Sequence, residues 1–424
     1  MGTSRNEADD GKIKNTPAPQ DIRGTRAFIL GGLSGGHGIF HWYLQSFTVA
    51  LPSIKADLAL TNLQLGNMIA IREFVSGIVN IPGGLLTDLF NKSWALIMAG
   101  CMALLGISYI IIGAFPSYTV LMIMMAVIAI PPSIWHLPAM ASLSKRFSRR
   151  RGLALGYHNV GGSLGDVVGP LLTGFLLGFV FWGNVFIIYG IPAIFIAVLV
   201  WWAFKPLGDQ FDNAAVSFKS QVKLTLQLGR NISLLMLTIV AGLRGAGHIG
   251  FVTFITIYLA EEAGMDSLGV GFHVMLITFL GMFSAPLLGL LSDMFTRKKV
   301  LVPSFFIESL LIALLIIQSP GIQLSFIIGL LGLFIFATQP LIMASALDII
   351  GQQTAATSLG FLFTVRYLFA AFSPIIAGYL YDSTGVDAVF MYIAALFFLA
   401  GVVMSLVPLR GVTTQVRHGN HHGH

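Results

Sequence analysis

Twelve runs of about twenty mostly apolar residues, separated by short polar stretches, set the pattern of this chain. They fall at roughly 27–51, 64–88, 94–114, 118–142, 152–179, 183–204, 232–260, 267–292, 300–318, 323–349, 356–381 and 386–408. Each is long enough to cross a bilayer, and lipid offers nothing to a free backbone N–H or C=O, so each run predicts a membrane-spanning helix. The longest internal polar stretch, 205–230, separates the sixth run from the seventh. The chain therefore divides into a polar tail at 1–26, six spans at 27–204, a linker at 205–230, six spans at 231–409 and a tail at 410–424. The expected fold class is an all-α integral membrane protein with twelve transmembrane helices in two six-helix bundles.

The two sets of six are related. Gly84-Leu85-Leu86-Thr87-Asp88-Leu89-Phe90-Asn91-Lys92 closes the second run. Gly289-Leu290-Leu291-Ser292-Asp293-Met294-Phe295-Thr296-Arg297-Lys298-Lys299 closes the eighth, about 205 positions later. Gly156, Pro170 and Gly174 recur in the same way at Gly360, Pro374 and Gly378. A repeat of this kind predicts a pseudo-symmetric molecule with its site between the halves.

Composition agrees. The 424 residues are 56% hydrophobic and 10% charged, with a mean hydropathy of +0.84; soluble domains carry about 25% charged residues. The single cysteine, Cys101, rules out an internal disulfide and lies in an apolar run, where packing explains it. The net charge of +6 sits in loops and tails and reads as an orientation signal, not as a nucleic-acid surface. Arg5, Lys12, Lys14, Arg23 and Arg26 precede the first span, and Lys145, Arg146, Arg149, Arg150 and Arg151 follow the fourth. Lys205, Lys219, Lys223 and Arg230 lie in the linker, Arg297, Lys298 and Lys299 follow the eighth, and Arg410 and Arg417 follow the twelfth. With twelve spans all of these fall on one side, so both termini are expected in the cytoplasm and the protein in the plasma membrane. The histidines of the ending His418-Gly419-Asn420-His421-His422-Gly423-His424 read as a floppy tail rather than a metal site.

The two Gly-x-Leu-x-Asp-x-x-x-(Lys/Arg) segments resemble the signature loop of the major facilitator superfamily, and with the six-plus-six arrangement the resemblance covers nearly the whole chain. It implies the major facilitator fold, alternating access and a monomer. Gly84 and Gly289 would then let helices approach closely, while Asp88, Lys92, Asp293 and Arg297 would form ion clusters that latch one face; the alternative is topogenic charge on a tight turn. Asn91 stands where the family carries glycine. His136-Leu137-Pro138-Ala139, Arg151-Gly152-Leu153-Ala154-Leu155, His158, Gly161-Gly162, Gly165-Asp166 and Gly169-Pro170 are similar to the fosmidomycin-resistance branch, which implies proton-coupled efflux of an organic anion. Gly165, Gly169 and Pro170 also resemble the antiporter motif of the fifth span.

Charge inside a span is costly and marks candidate function. Arg72, Arg244 and Arg366 lie well inside spans and cannot discharge. They predict either a cationic, anion-binding cavity or structural ion pairs with Glu73, Asp166 and Glu308. Adjacent helical residues point about 100° apart, so Arg72 and Glu73 are not expected to pair. His37 and His41 share a face of the first span, Arg244 and His248 a face of the seventh; His136 lies on the fourth and His158 on the fifth. Each histidine is either a helix–helix hydrogen bond or a substrate ligand. Among the aromatics Trp42, Tyr43, Tyr157, Phe251 and Tyr367 are candidates to stack on substrate, and Tyr157 joins the substrate-binding set. Asp166 is the first candidate to carry a coupling proton and Glu73 the second; Glu308 reads as structural.

These residues predict a secondary transporter for a small organic anion, with protons as coupling ion and efflux as the direction. The alternatives are proton-coupled uptake of a carboxylate or similar nutrient, and a non-transporting membrane sensor. No nucleotide loop and no H-E-x-x-H is present, so no enzyme activity, cofactor or metal is expected.

Overall fold

The computed structural model describes residues 21–90, 93–205, 207, 231–350 and 355–408. The helices are α1 (Arg26–Asp57), α2 (Asn62–Leu89), α3 (Trp94–Ala114), α4 (Tyr118–Ile128 and Ile130–Arg146), α5 (Arg151–Leu177), α6 (Trp182–Phe204), α7 (Ile232–Glu261), α8 (Ser267–Met294), α9 (Arg297–Leu314), α10 (Ile322–Ile335 and Thr338–Ile350), α11 (Ala355–Thr384) and α12 (Val386–Leu406). Among the described residues there is no strand. Ten of the twelve are long and apolar enough on their own to cross a membrane; α1 and α2 carry the polar residues His37, His41, Gln45, Arg72, Glu73 and Asn80.

Local sequence sets the starts. The side chains of Asn231 and Asp266 accept from the backbone N–H of Leu234 at 3.2 Å and of Gly269 at 2.7 Å, satisfying donors that open α7 and α8. Two expected spans are broken rather than continuous. In α4 the ladder stops at Ala129, just before Pro131 and Pro132, which lack the N–H that would continue it. In α10 it stops at Phe336–Ala337, just before Pro340. The breaks lie at corresponding places in the two halves, a position where lipid cannot satisfy freed carbonyls and protein must.

Within the first half α1 packs along α5 and α3 along α6; within the second α7 packs along α11 and α9 along α12. Each half has its own buried core, with Phe40, Phe47, Tyr109, Trp135 and Phe186 in one and Phe251, Phe254, Phe305, Phe390 and Phe397 in the other. Tyr43 and Phe251 are buried within those cores, which removes them as stacking surfaces for a substrate. Cys101 is buried, as packing requires. Exposed stripes such as Ile188, Ile191, Phe195, Val198 and Trp202 on α6 suit contact with lipid.

The α1–α5 crossing is made of glycine. A Cβ on Gly161 or Gly165 would run into the backbone carbonyl of Ser34 or Gly38, and one on Gly169 would lie 2.8 Å from the Trp42 carbonyl. Backbones can approach this closely only without side chains. That approach carries the polar face of α1 onto α5.

The halves meet through α2–α11 and α5–α8. Contact is tight at the end remote from the first residues of α1. Asp382 accepts from the backbone N–H of Asn62 and Leu63 at 3.0 and 2.9 Å, capping α2 from the other half. Lys55 pairs with Glu261 at 2.6 Å, and the Tyr381 hydroxyl donates to Glu262 at 3.2 Å. A Cβ on Gly271 would strike the Pro170 carbonyl, and one on Gly174 the Ser267 carbonyl. Toward the other end the faces part. A Cβ added to Gly152 or Gly156 of α5, or to Gly289 of α8, would meet nothing within 4 Å, so the close approach of another helix expected at Gly289 is not made in this conformation. Among the described residues the two halves are locked together at one end and part on the α5–α8 side at the other.

Replacing Gly165 by leucine is expected to destabilise the protein by about 1–3 kcal/mol or more, because neither backbone can retreat. Gly152→Leu, which meets open space, leaves the melting temperature unchanged. Thermal unfolding of the two purified variants in detergent checks this.

Candidate functional site

The predicted residues gather on two faces of the space between the halves. On the first half, α1, α4 and α5 bring four histidines together. The ring of His37 stacks on His158 at 4.2 Å between centroids and stands edge-on to His41 at 4.5 Å and to His136 at 4.7 Å. Gly162 makes room, since a Cβ there would lie 2.7 Å from the His37 ring. His41 donates from Nδ1 to the Asp166 carboxylate at 2.9 Å, and Gln45, one turn on, donates to its other oxygen at 3.2 Å. His37 donates from Nδ1 to the His158 carbonyl at 2.8 Å. His136 donates from Nδ1 to the Pro132 carbonyl at 2.5 Å, one turn back in the same helical segment. The Asp166 backbone carbonyl accepts from Thr278 of α8 at 2.9 Å, so this residue is bonded to both halves.

On the second half the arginines divide. Arg244 is buried and each of its guanidinium nitrogens has a partner at the α10 break. It donates to Thr338 Oγ1 and Gln339 Oε1, both at 3.3 Å, and to the Ile335 carbonyl that the break sets free. Thr338 in turn donates to the buried Glu308 carboxylate at 3.4 Å. Arg366, by contrast, has no carboxylate within ion-pair distance among the described residues, and its Nε is buried without a partner. It lies over the Tyr367 ring at 4.2 Å, as an arginine does over an aromatic face. Gly245 of α7 lets it pass, since a Cβ there would lie 2.6 Å from the Arg366 Cγ. His248 stands edge-on to Phe336 with Nδ1 buried and unpartnered.

Other residues fall elsewhere. Arg72 pairs with its neighbour Glu73, contrary to the expectation from helix geometry: its long side chain curls back to place Nη2 and Nε at 2.9 and 3.1 Å from Oε1. Tyr157 is exposed and stands apart from the histidine group. His273 is satisfied by the Gly269 carbonyl and Ser325 Oγ, both at 2.8 Å, a helix–helix bond and not a ligand. Arg297 bonds Asp293 and Ser292 and reaches Asp348 at 3.2 Å, tying the α8–α9 loop to α10 within one half. Lys92 and the Asp88 side chain lie outside the described residues, and so does any close approach at Gly84. Sequence reasoning missed the two helix breaks, although Pro131-Pro132 and Pro340 at matching positions signal them. It also missed the inter-half lock of Lys55, Glu261 and Asp382.

Residues 33–374, and again 237–421, match the family model of the Major Facilitator Superfamily. The chain belongs to that superfamily. It is therefore a transporter of small solutes and not an enzyme. Within the Major Facilitator Superfamily it is 24% identical over 385 residues to a probable nitrate transporter, NarT, of Staphylococcus epidermidis, covering 90% of this chain and 95% of that protein. It is 23% identical to the fosmidomycin resistance protein of Escherichia coli, over 64% of this chain and 67% of that one. It is also 23% identical to a probable sulfoacetate transporter, SauU, of Cupriavidus necator, over 88% and 91%. The fold matches a bacterial homologue of the lysosomal transporter Spinster with a TM-score of 0.75 at 15% identity, covering 92% of this chain and 97% of that one. The nucleoside transporter NupG gives 0.75 at 14%, covering 89% and 99%.

The two arginines should behave differently. Arg244→Leu leaves the Ile335 carbonyl and the side chains of Thr338 and Gln339 buried without their donor and is expected to cost about 1–3 kcal/mol of stability for each group so stranded. Arg366→Gln leaves no carboxylate stranded and is expected to fold and melt close to the parent. Melting curves of both variants, read beside expression level, decide the point.

Proposed function

We propose that the chain moves a small organic anion by alternating access, coupled to protons and in the direction of export. The anion site is the second-half face around Arg366, where a guanidinium held between Gly245 and Tyr367 has no carboxylate within ion-pair distance among the described residues. A fixed, partly buried charge of that kind selects for the opposite charge on its ligand. Two relatives are named for anions, nitrate and sulfoacetate. Export rests on the similarity of residues 136–170 to the branch named for drug resistance.

Asp166 is the proposed proton carrier. Its carboxylate is held by His41 and Gln45 of α1 while its carbonyl holds Thr278 of α8. A proton on the carboxylate weakens its bond to His41, and the same residue is part of the contact between halves. Gain or loss of that proton is thereby linked to whether α5 and α8 stay together. With the termini in the cytoplasm, the open end faces inward. The lock of Lys55–Glu261 and Asp382 on α2 closes the outer end, and it must break for the cavity to open outward. A single chain forms the whole path.

The test is transport in proteoliposomes under an imposed pH gradient. Asp166→Asn is expected to lose gradient-driven transport and keep anion exchange at zero gradient. Full gradient response in that variant removes Asp166 as the carrier, and movement of anion with the proton rather than against it overturns export.

A further inference from the structure

We propose that the first-half face of the cavity is a binding site for one divalent first-row transition-metal ion, of the zinc or cobalt class, held by His37, His41 and His136. This is independent of the anion reading and would stand if Arg366 bound nothing.

Each of these histidines offers a ring nitrogen, and the three lie within 4.8 Å of one another. Four-coordinate zinc–imidazole bonds of about 2.0–2.1 Å put ligand nitrogens about 3.3 Å apart, so a modest closing of the rings completes the site. The hydrogen bonds around them already suit a metal. All three commit Nδ1 to an oxygen: His41 to the Asp166 carboxylate, His37 to the His158 carbonyl and His136 to the Pro132 carbonyl. That fixes the proton on Nδ1 and leaves the Nε2 lone pair free in each neutral ring. A ligating imidazole almost always gives its other nitrogen to a carboxylate or backbone carbonyl, which orients the ring and raises its basicity. Here that arrangement occurs at all three histidines of one cluster.

The second observation is His158. It is 1% exposed and stacked on His37, and neither ring nitrogen makes a hydrogen bond of full geometry. A buried imidazole so poorly satisfied is costly where nothing compensates it, and this one lies against the proposed ligands. His41 and His136 are partly exposed, so an ion can enter from the space between the halves. Imidazole donors without a thiolate, and with one carboxylate behind them, select zinc, cobalt, nickel or copper over magnesium or calcium. Three protein ligands leave a fourth position open to water or an anion.

The experiment is titration of the purified full chain with Co²⁺, read by the visible absorption of four-coordinate cobalt, and with Zn²⁺ by calorimetry. The protein carries no affinity tag of histidines, and His418, His421, His422 and His424 are replaced by alanine so that the tail cannot bind. The expected result is one bound ion with a tetrahedral cobalt spectrum, lost in His41→Ala and in His136→Gln and kept in His273→Ala. Affinity falls as the pH is lowered, because protons compete for the ligand nitrogens. Size-exclusion profiles and melting curves confirm that the variants are folded, and His136→Gln serves where alanine is not tolerated. Absence of binding in the tail variant, or binding that survives His41→Ala and His136→Gln together, overturns the site.

Discussion

A charge within a lipid-spanning helix must face another polar group, a ligand or water in a cavity, because lipid cannot meet it. That constraint organises this molecule. Arg72 takes the carboxylate beside it. Arg244 takes the carbonyl and side chains freed by the break in α10, with Glu308 behind them. Asp166 takes His41 and Gln45. Only after these pairings are made does Arg366 stand out, and with it the face proposed for the anion.

The same constraint ties function to backbone. α4 and α10 break at matching places, and the α10 break presents the Ile335 carbonyl to Arg244. In α4 the His136 ring bonds back to Pro132 in the turn just after the break, so both breaks lie beside functional side chains. The α1–α5 glycines act one step earlier. Without their close approach His37 and His41 would not reach His158 and Asp166.

Much of the fold was legible in the sequence, since lipid permits so few solutions. Twelve apolar runs gave twelve helices, and the repeat of Gly84–Lys92 at Gly289–Lys299 gave the two halves. The site was legible only as a set of helices. Sequence placed His37 and His41 on one face, but His136 lies 95 positions from His41 (136 − 41), and no local spacing marks the three as one group. Nor could spacing show that Arg72 reaches Glu73, because that depends on a long side chain bending back rather than on helix geometry. The inter-half contacts at Lys55 and Asp382 join residues more than 200 positions apart, which only tertiary structure brings together.

The central claim is that an anion supplies the charge that Arg366 lacks. It is tested most directly by anion-induced thermal stabilisation of the parent protein and of Arg366→Gln, using mono- and dicarboxylates, sulfonates, phosphonates and nitrate beside organic cations. At least one anion is predicted to raise the melting temperature of the parent, with an affinity that falls by about 2–5 kcal/mol when the guanidinium is removed. Equal stabilisation of the parent and of Arg366→Gln, or stabilisation by cations alone, would contradict the account.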